Sequence, residues 1–287
     1  MTLFDAGFRE LLRGVVARVR RPRARPEEGE RARRRRASSS GTFTGHRPYS
    51  QGDDPRALDW NVFARSGELF VKVLEEEQRR ALNLLLDTSA SMRAGSPPRF
   101  DGARRLAALL GGVALARLDG FSIVAGERVE TWAGLPALGA MLDFLDRLEP
   151  TAVDAREAIE VWSQRALRGR VVWVSDFAAG DEIEHGLRLL GRAARDALAL
   201  LPKLAEDEVP ALDGYVLLRD PEDAARTLRV RVDAGLRAAA ERELRALGRW
   251  QDLRFREAGV LLVRQRIPAI GDLRVSSWTD GGWTTWI

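Results

Sequence analysis

Apolar residues recur along this chain in two periods. Phe4, Phe8, Leu11, Leu12 and Val15 fall three or four apart, which predicts a short helix within residues 1–19. A polar stretch through Ser40 breaks that pattern, and a Gly-, Pro- and Asp-rich loop is predicted up to Asp59. Leu69, Val71 and Val73 then alternate as in a strand. The run 81–86 is almost wholly apolar, the mark of a strand buried on both faces. From there helical periods alternate with short apolar runs. Helices are predicted over about 101–118, 135–148, 154–168, 182–195 and 234–257, and strands over 121–125, 171–175, 197–201, 215–218 and 260–263. The alternation specifies an α/β fold, a doubly wound, mostly parallel sheet covered on both faces, and no internal repeat interrupts it.

Composition sharpens this picture. At 287 residues and 45% hydrophobic the chain buries one sizeable core with length to spare. There is no cysteine, which excludes disulfides, zinc-thiolate sites and cysteine nucleophiles, and a cytoplasmic location is expected. The longest apolar run, 106–116, is far short of the roughly 20 residues that cross a bilayer, and no secretory signal is read at the start. Between Arg18 and Arg36 lie ten arginines and three glutamates, a charge of +7, so the rest of a chain with net charge +4 carries −3. The basicity belongs to a proline-containing N-terminal extension, read as a solvated linker because no aromatic residue is interleaved to stack on bases. Nucleic acid is therefore not the expected partner.

In an open α/β sheet, ligand groups gather on the loops at the carboxyl ends of the strands. That rule selects Asp87, Ser89 and Ser91 after the 81–86 strand and Ser175 and Asp176 after the 171–174 strand. It also selects Thr151, just before a predicted helix. All are oxygen donors of the kind that hard cations such as magnesium prefer. At a strand-to-helix turn, Asp87, Ser89 and Ser91 can share a cavity while Ala90 and Met92 turn to packing. The same three residues could instead cap a helix N-terminus with no ion. Few catalytic alternatives survive. The histidines are His46 and His185, neither near a nucleophile-elbow pattern, and neither Lys72 nor Lys203 lies in a phosphate-binding P-loop. An aspartyl-nucleophile phosphatase would need an acid two positions after Asp87, where Ser89 stands.

The sequence Leu86-Asp87-Thr88-Ser89-Ala90-Ser91-Met92 resembles the Asp-x-Ser-x-Ser motif of von Willebrand factor A domains and their metal-ion-dependent adhesion sites. Val174-Ser175-Asp176-Phe177 strengthens the likeness, and the block from Gly45-His46-Arg47-Pro48 through Asp53-Asp54-Pro55-Arg56 to Asp59-Trp60 resembles the bacterial domain-of-unknown-function-58 family. The likeness continues through Glu77 and, weakly, from Tyr215 through Asp220 to Glu222. It spans about residues 41–268 and leaves the N-terminal arginines outside.

The resemblance implies that Ser89, Ser91 and Thr151 touch the metal directly while Asp87 and Asp176 act through water. Thr131 competes with Thr151, because the family's usual acidic residue and leucine do not follow Thr151. The implied ion is Mg2+, or else Mn2+ or Ca2+. The implied function is a non-enzymatic module that offers the ion to a partner's Asp or Glu, as adaptor or co-chaperone of a MoxR-type AAA+ ATPase or its client. A magnesium-dependent hydrolase and anionic-polymer binding through 18–36 are the alternatives.

The organisation expected is a helix and Arg-rich linker over 1–40, a family-specific segment over 41–80, the von Willebrand factor A-like domain over 81–268, and a Trp-rich tail over 269–287. Within the segment, Asp53, Asp54, Arg56, Asp59 and Arg65 form either a partner surface or a salt-bridged structural turn. In the tail, Trp278, Trp283 and Trp286 flank an Asp280-Gly281-Gly282 turn, and their indoles are expected to pack on the domain body.

Overall fold

The computed structural model describes residues 3–19, 42–50, 53, 55–75, 81–118, 120–151, 156–178, 180–194, 196–204, 207, 213–221, 223, 225–268, 276 and 278. These fall into two compact units, one holding 3–19 together with 81 onward, the other lying within 42–75. In chain order, α1 (Ala6–Val19) belongs to the larger unit, and β1 (Thr42–Pro48), α2 (Trp60–Ser66) and β2 (Phe70–Glu75) to the smaller. The larger unit continues with β3 (Ala81–Leu86), α3 (Arg99–Arg117), β4 (Gly120–Ala125), β5 (Arg128–Trp132), α4 (Leu138–Asp146), α5 (Arg156–Gln164) and β6 (Arg170–Val174). It ends with α6 (Gly180–Ala193), β7 (Ala197–Lys203), β8 (Gly214–Arg219), β9 (Thr227–Val232), α7 (Ala234–Glu257) and β10 (Leu261–Arg266).

Strands pair in the order β10-β7-β6-β3-β4-β5, parallel except for β5. The run Leu84-Leu85-Leu86 shows why both faces must be covered, since successive side chains point to opposite sides. Leu82, Leu84 and Leu86 join Val172, Val174, Leu198 and Leu200 in a core filled by α1, α3 and α4. Leu85, Val124, Trp173, Ala199 and Leu201 join a second core filled by α5, α6 and Phe255 of α7. The fold is thus α/β with a mostly parallel sheet between helical layers. Among the described residues, no helix is long and apolar enough to cross a membrane.

Helix α3 is enclosed nearly all round, with fourteen of its nineteen residues buried, which its mixture of Ala, Gly and Leu permits. A methyl group on Gly112 would lie 2.7 Å from Leu12 of α1, and one on Gly111 would lie 2.3 Å from Met141 of α4. Glycine there lets α3 meet neighbours on two sides. Helix α1 docks through Phe8, Leu11, Leu12, Val15 and Val16, and Asp5 caps it by accepting from the Phe8 amide at 2.8 Å. Trp278 is buried and meets the Phe8 ring edge-on at 6.1 Å. Trp283, Trp286 and the 280–282 turn lie outside the described residues, as does most of 18–36.

Several elements differ from their sequence expectation, among them α2, which forms where no helix was predicted. The predicted 41–59 loop contains strand β1, which pairs antiparallel with β2. The run 215–218 is strand β8, yet it is not part of the main sheet and pairs only with β9 in a two-stranded hairpin. Strands β5 and β9 were not expected, because their Arg and Glu residues point to solvent and break the apolar signature. The 135–148 helix begins with a 3-10 turn at Leu135–Ala137 before α4.

The winding of the sheet locates a cleft. From β3 the chain crosses through α3 to β4 on one side, and from β6 it crosses through α6 to β7 on the other. Because β3 and β6 are neighbours whose connections leave in opposite directions, their carboxyl-end loops part and leave a crevice.

Candidate functional site

Asp87 is fixed by the sheet itself. Its amide donates to the Val174 carbonyl at 2.9 Å, carrying the β3–β6 ladder one rung past the strand end. Its Oδ1 then accepts from the Ser89 amide at 2.8 Å, which turns the chain, and its Oδ2 accepts from the Ser175 hydroxyl at 2.7 Å. Ser175 is fixed in the same way, its amide donating to Leu200 of β7 at 3.3 Å. Its Oγ also accepts from the Phe177 amide at 3.1 Å. One hydroxyl therefore ties the β3 and β6 loops together.

Asp87 is buried, and withdrawal from water lifts its carboxyl from an ordinary 3.8 to about 6. The hydrogen bonds from Ser175 and Ser89 oppose that rise, and the nearby charge of Asp176 adds to it. Asp176, half-buried beside it, accepts from the Ala178 amide at 3.1 Å. Phe177 between them adopts φ 50°, a left-handed conformation that a bulky residue holds only when its surroundings fix it. Here its ring packs edge-on against Trp173 and Phe255, and its carbonyl accepts from Gln251 of α7 at 2.8 Å.

Ser89 and Ser91 sit with their hydroxyls 3.0 Å apart. Ala90 and Met92 are buried, but so are Asp87, Thr88 and Ser89, so the turn is enclosed from Asp87 through Ala90. The segment after Ser89 is a 3-10 turn, Ala90–Arg93, and α3 starts only at Arg99. Ser89 makes no capping hydrogen bond through its side chain, so helix capping does not account for it. Thr151 is exposed, yet its amide donates to the Thr88 carbonyl at 2.6 Å and its hydroxyl lies 3.1 Å from that of Thr88. The loop before α5 is thereby stitched to the residue between Asp87 and Ser89. Thr131, by contrast, faces Ser122 across the β4–β5 pair at 3.0 Å, three rungs from the carboxyl end of β4.

The fold thus gathers Asp87, Ser89, Ser91, Thr151 and Asp176 onto loops at the carboxyl end of β3 and β6. It adds Ser175 and Thr88 as the groups that hold them. Ser175 was visible in the sequence as an oxygen donor after a strand, but its link to Asp87 depends on which strands are neighbours. Gln251 is distant in sequence and gave no signal.

In the smaller unit, Asp53 accepts a two-armed ion pair from Arg47 at 2.5 and 2.6 Å, and the Arg47 guanidinium holds its carboxyl down to about 2. Asp59 caps α2 by accepting from the amides of Asn61 and Val62, and lies 2.8 Å from His46 Nε2. Both acids hold turns in place. Arg65 is exposed in the last turn of α2, while Asp54 and the Arg56 side chain lie outside the described residues.

An α/β protein with an oxygen-lined crevice at the switch in its sheet is the class these features define. The family profile described as a protein of unknown function, DUF58, matches residues 45–248, and the chain belongs to that family. No curated protein and no solved structure matches it.

Proposed function

We propose that this protein is a non-enzymatic, metal-dependent interaction module of the von Willebrand factor A type, acting as adaptor or co-chaperone to a MoxR-type AAA+ ATPase. The observation that supports the reading is the convergence of three loops, around Asp87–Ser91, Thr151 and Ser175–Asp176, on one crevice. The donor set is oxygen throughout, which suits Mg2+, Mn2+ or Ca2+. Ser89 and Ser91 offer paired hydroxyls, and Thr151 a third. Both oxygens of Asp87 already accept hydrogen bonds, which fits a carboxylate that holds the loop and compensates charge from outside the ligand shell. A bound cation would offset the cost of a buried carboxylate and supply an open position for a partner's Asp or Glu.

Binding accounts for the site better than catalysis. The two histidines each face a carboxylate, His46 with Asp59 and His185 with Glu160, so neither is set up as a base for Ser89 or Ser91. The ATPase partner comes from the family resemblance alone.

Capture tests the reading. Immobilised protein, wild type or Asp87→Ala, is offered a MoxR-type ATPase with magnesium or with chelator. Retention by wild type with magnesium alone supports the metal bridge, and equal retention in all four cases overturns it.

A further inference from the structure

The β8–β9 hairpin exposes an unusual amount of apolar surface. Tyr215 is 67% exposed, Leu217 55%, Leu218 53% and Leu228 62%. Each strand pairs only with the other, so each keeps one edge without a strand partner among the described residues. A lone two-stranded hairpin is marginal in water, and unpaired edges are templates for another strand.

Register sorts the side chains into two unlike faces. Tyr215 opposite Arg231, Leu217 opposite Arg229, and Arg219 opposite Thr227 share one face. Val216 opposite Val230 and Leu218 opposite Leu228 share the other. On the first face Arg229 stacks over the Tyr215 ring at 4.8 Å, which holds its guanidinium in place. The neighbouring carboxylates are engaged elsewhere. Asp213 pairs with Arg237 at 2.6 Å, Asp220 faces Arg226 at 3.7 Å, and Asp233 caps α7. Arg219, Arg229 and Arg231 form no ion pair among the described residues.

We infer that this hairpin receives an extended segment of another protein in which acidic and apolar residues alternate, added as a third strand. Charge and geometry together select that occupant. A strand places alternate side chains on opposite faces, so its carboxylates meet the arginine face while its apolar residues cover Leu218 and Leu228. A membrane surface or a nucleic acid approaches from one side and leaves the opposite face and the edge amides uncovered. A second copy joined through β9 and centred on Val230 would set Arg229 beside Arg231. The inference does not rest on a metal at Asp87.

Fluorescence anisotropy with the full chain tests it, using labelled ten-residue peptides that alternate Val with Glu or Val with Lys. The Glu peptide should bind wild type and Asp87→Ala alike. In Arg229→Glu/Arg231→Glu, verified as folded by circular dichroism, its affinity should fall about tenfold or more as two attractions become repulsions, while the Lys peptide gains. N-methylating alternate amides of the Glu peptide, which removes its edge hydrogen bonds, should abolish binding. Failure of the Glu peptide to bind, indifference to charge reversal, or indifference to N-methylation overturns the inference. So does binding to phosphatidylglycerol vesicles or duplex DNA in place of the peptide.

Discussion

Asp87 sits where water does not reach, and its two oxygens are held by one amide and one hydroxyl. Because burial raises its carboxyl to about 6, the native state binds this proton more tightly than the unfolded chain does. The stability this adds is complete below pH 3.8 and is lost as pH rises through about 6. In chelator, wild type should therefore lose about 2–3 kcal/mol relative to Asp87→Asn between pH 4 and 7, read from denaturant midpoints at each pH. A constant difference across that range would refute the assignment. Ser175→Ala removes the hydroxyl donor to Asp87 and should cost about 1–3 kcal/mol at pH 7 by the same measurement. The oxygen donors were legible because short polar residues interrupt an apolar run at the strand end. Thr151 was preferred over Thr131 for its place at a helix entry, but its hydrogen bond to Thr88 across 63 positions left no mark in the sequence.

Two of the three glycines of helix α6, Gly186 and Gly191, have unlike surroundings. A methyl group on Gly186 would lie 2.6 Å from the Trp173 ring and 2.7 Å from Ile159, whereas one on Gly191 meets nothing closer than 4.0 Å. Gly191→Ala should gain about 0.5–1 kcal/mol from helix propensity, and Gly186→Ala should lose about 1–3 kcal/mol to overpacking. Paired thermal unfolding decides it, and a stabilised Gly186→Ala would contradict the packing of α6 on β6. At this scale the helices of the larger unit were legible, α7 to the residue, whereas the short α2 was not, since none of its residues is buried to mark an apolar face. Strands were harder. An apolar run says that a segment is extended but not which neighbour covers it, so 215–218 read as a strand of the main sheet. Arg128–Trp132 hid its strand behind a solvent-facing edge.

For the molecule as a whole, the sheet order sets which strands are sheltered. Strands β3 and β6 lie at the centre of the sheet with helices on both faces, while the β8–β9 hairpin makes few contacts beyond itself among the described residues. Amide hydrogen exchange should separate the two, with β8 and β9 exchanging orders of magnitude faster than β3 and β6. Comparable protection would contradict a hairpin held mainly by its own pairing. The parallel core was readable from the alternation of elements. The packing of α1 on α3 across the intervening segment was not, because no local pattern records a neighbour so far along the chain.

The contact between Phe8 and Trp278 bears on how the chain is made. Helix α1 leaves the ribosome well before its partner Trp278, which emerges a further 270 residues on, on the order of tens of seconds later at typical elongation rates. Until then the apolar stripe of α1 lacks this one aromatic neighbour. Nascent chains halted before Trp278 should therefore be the ones that chaperones hold longest.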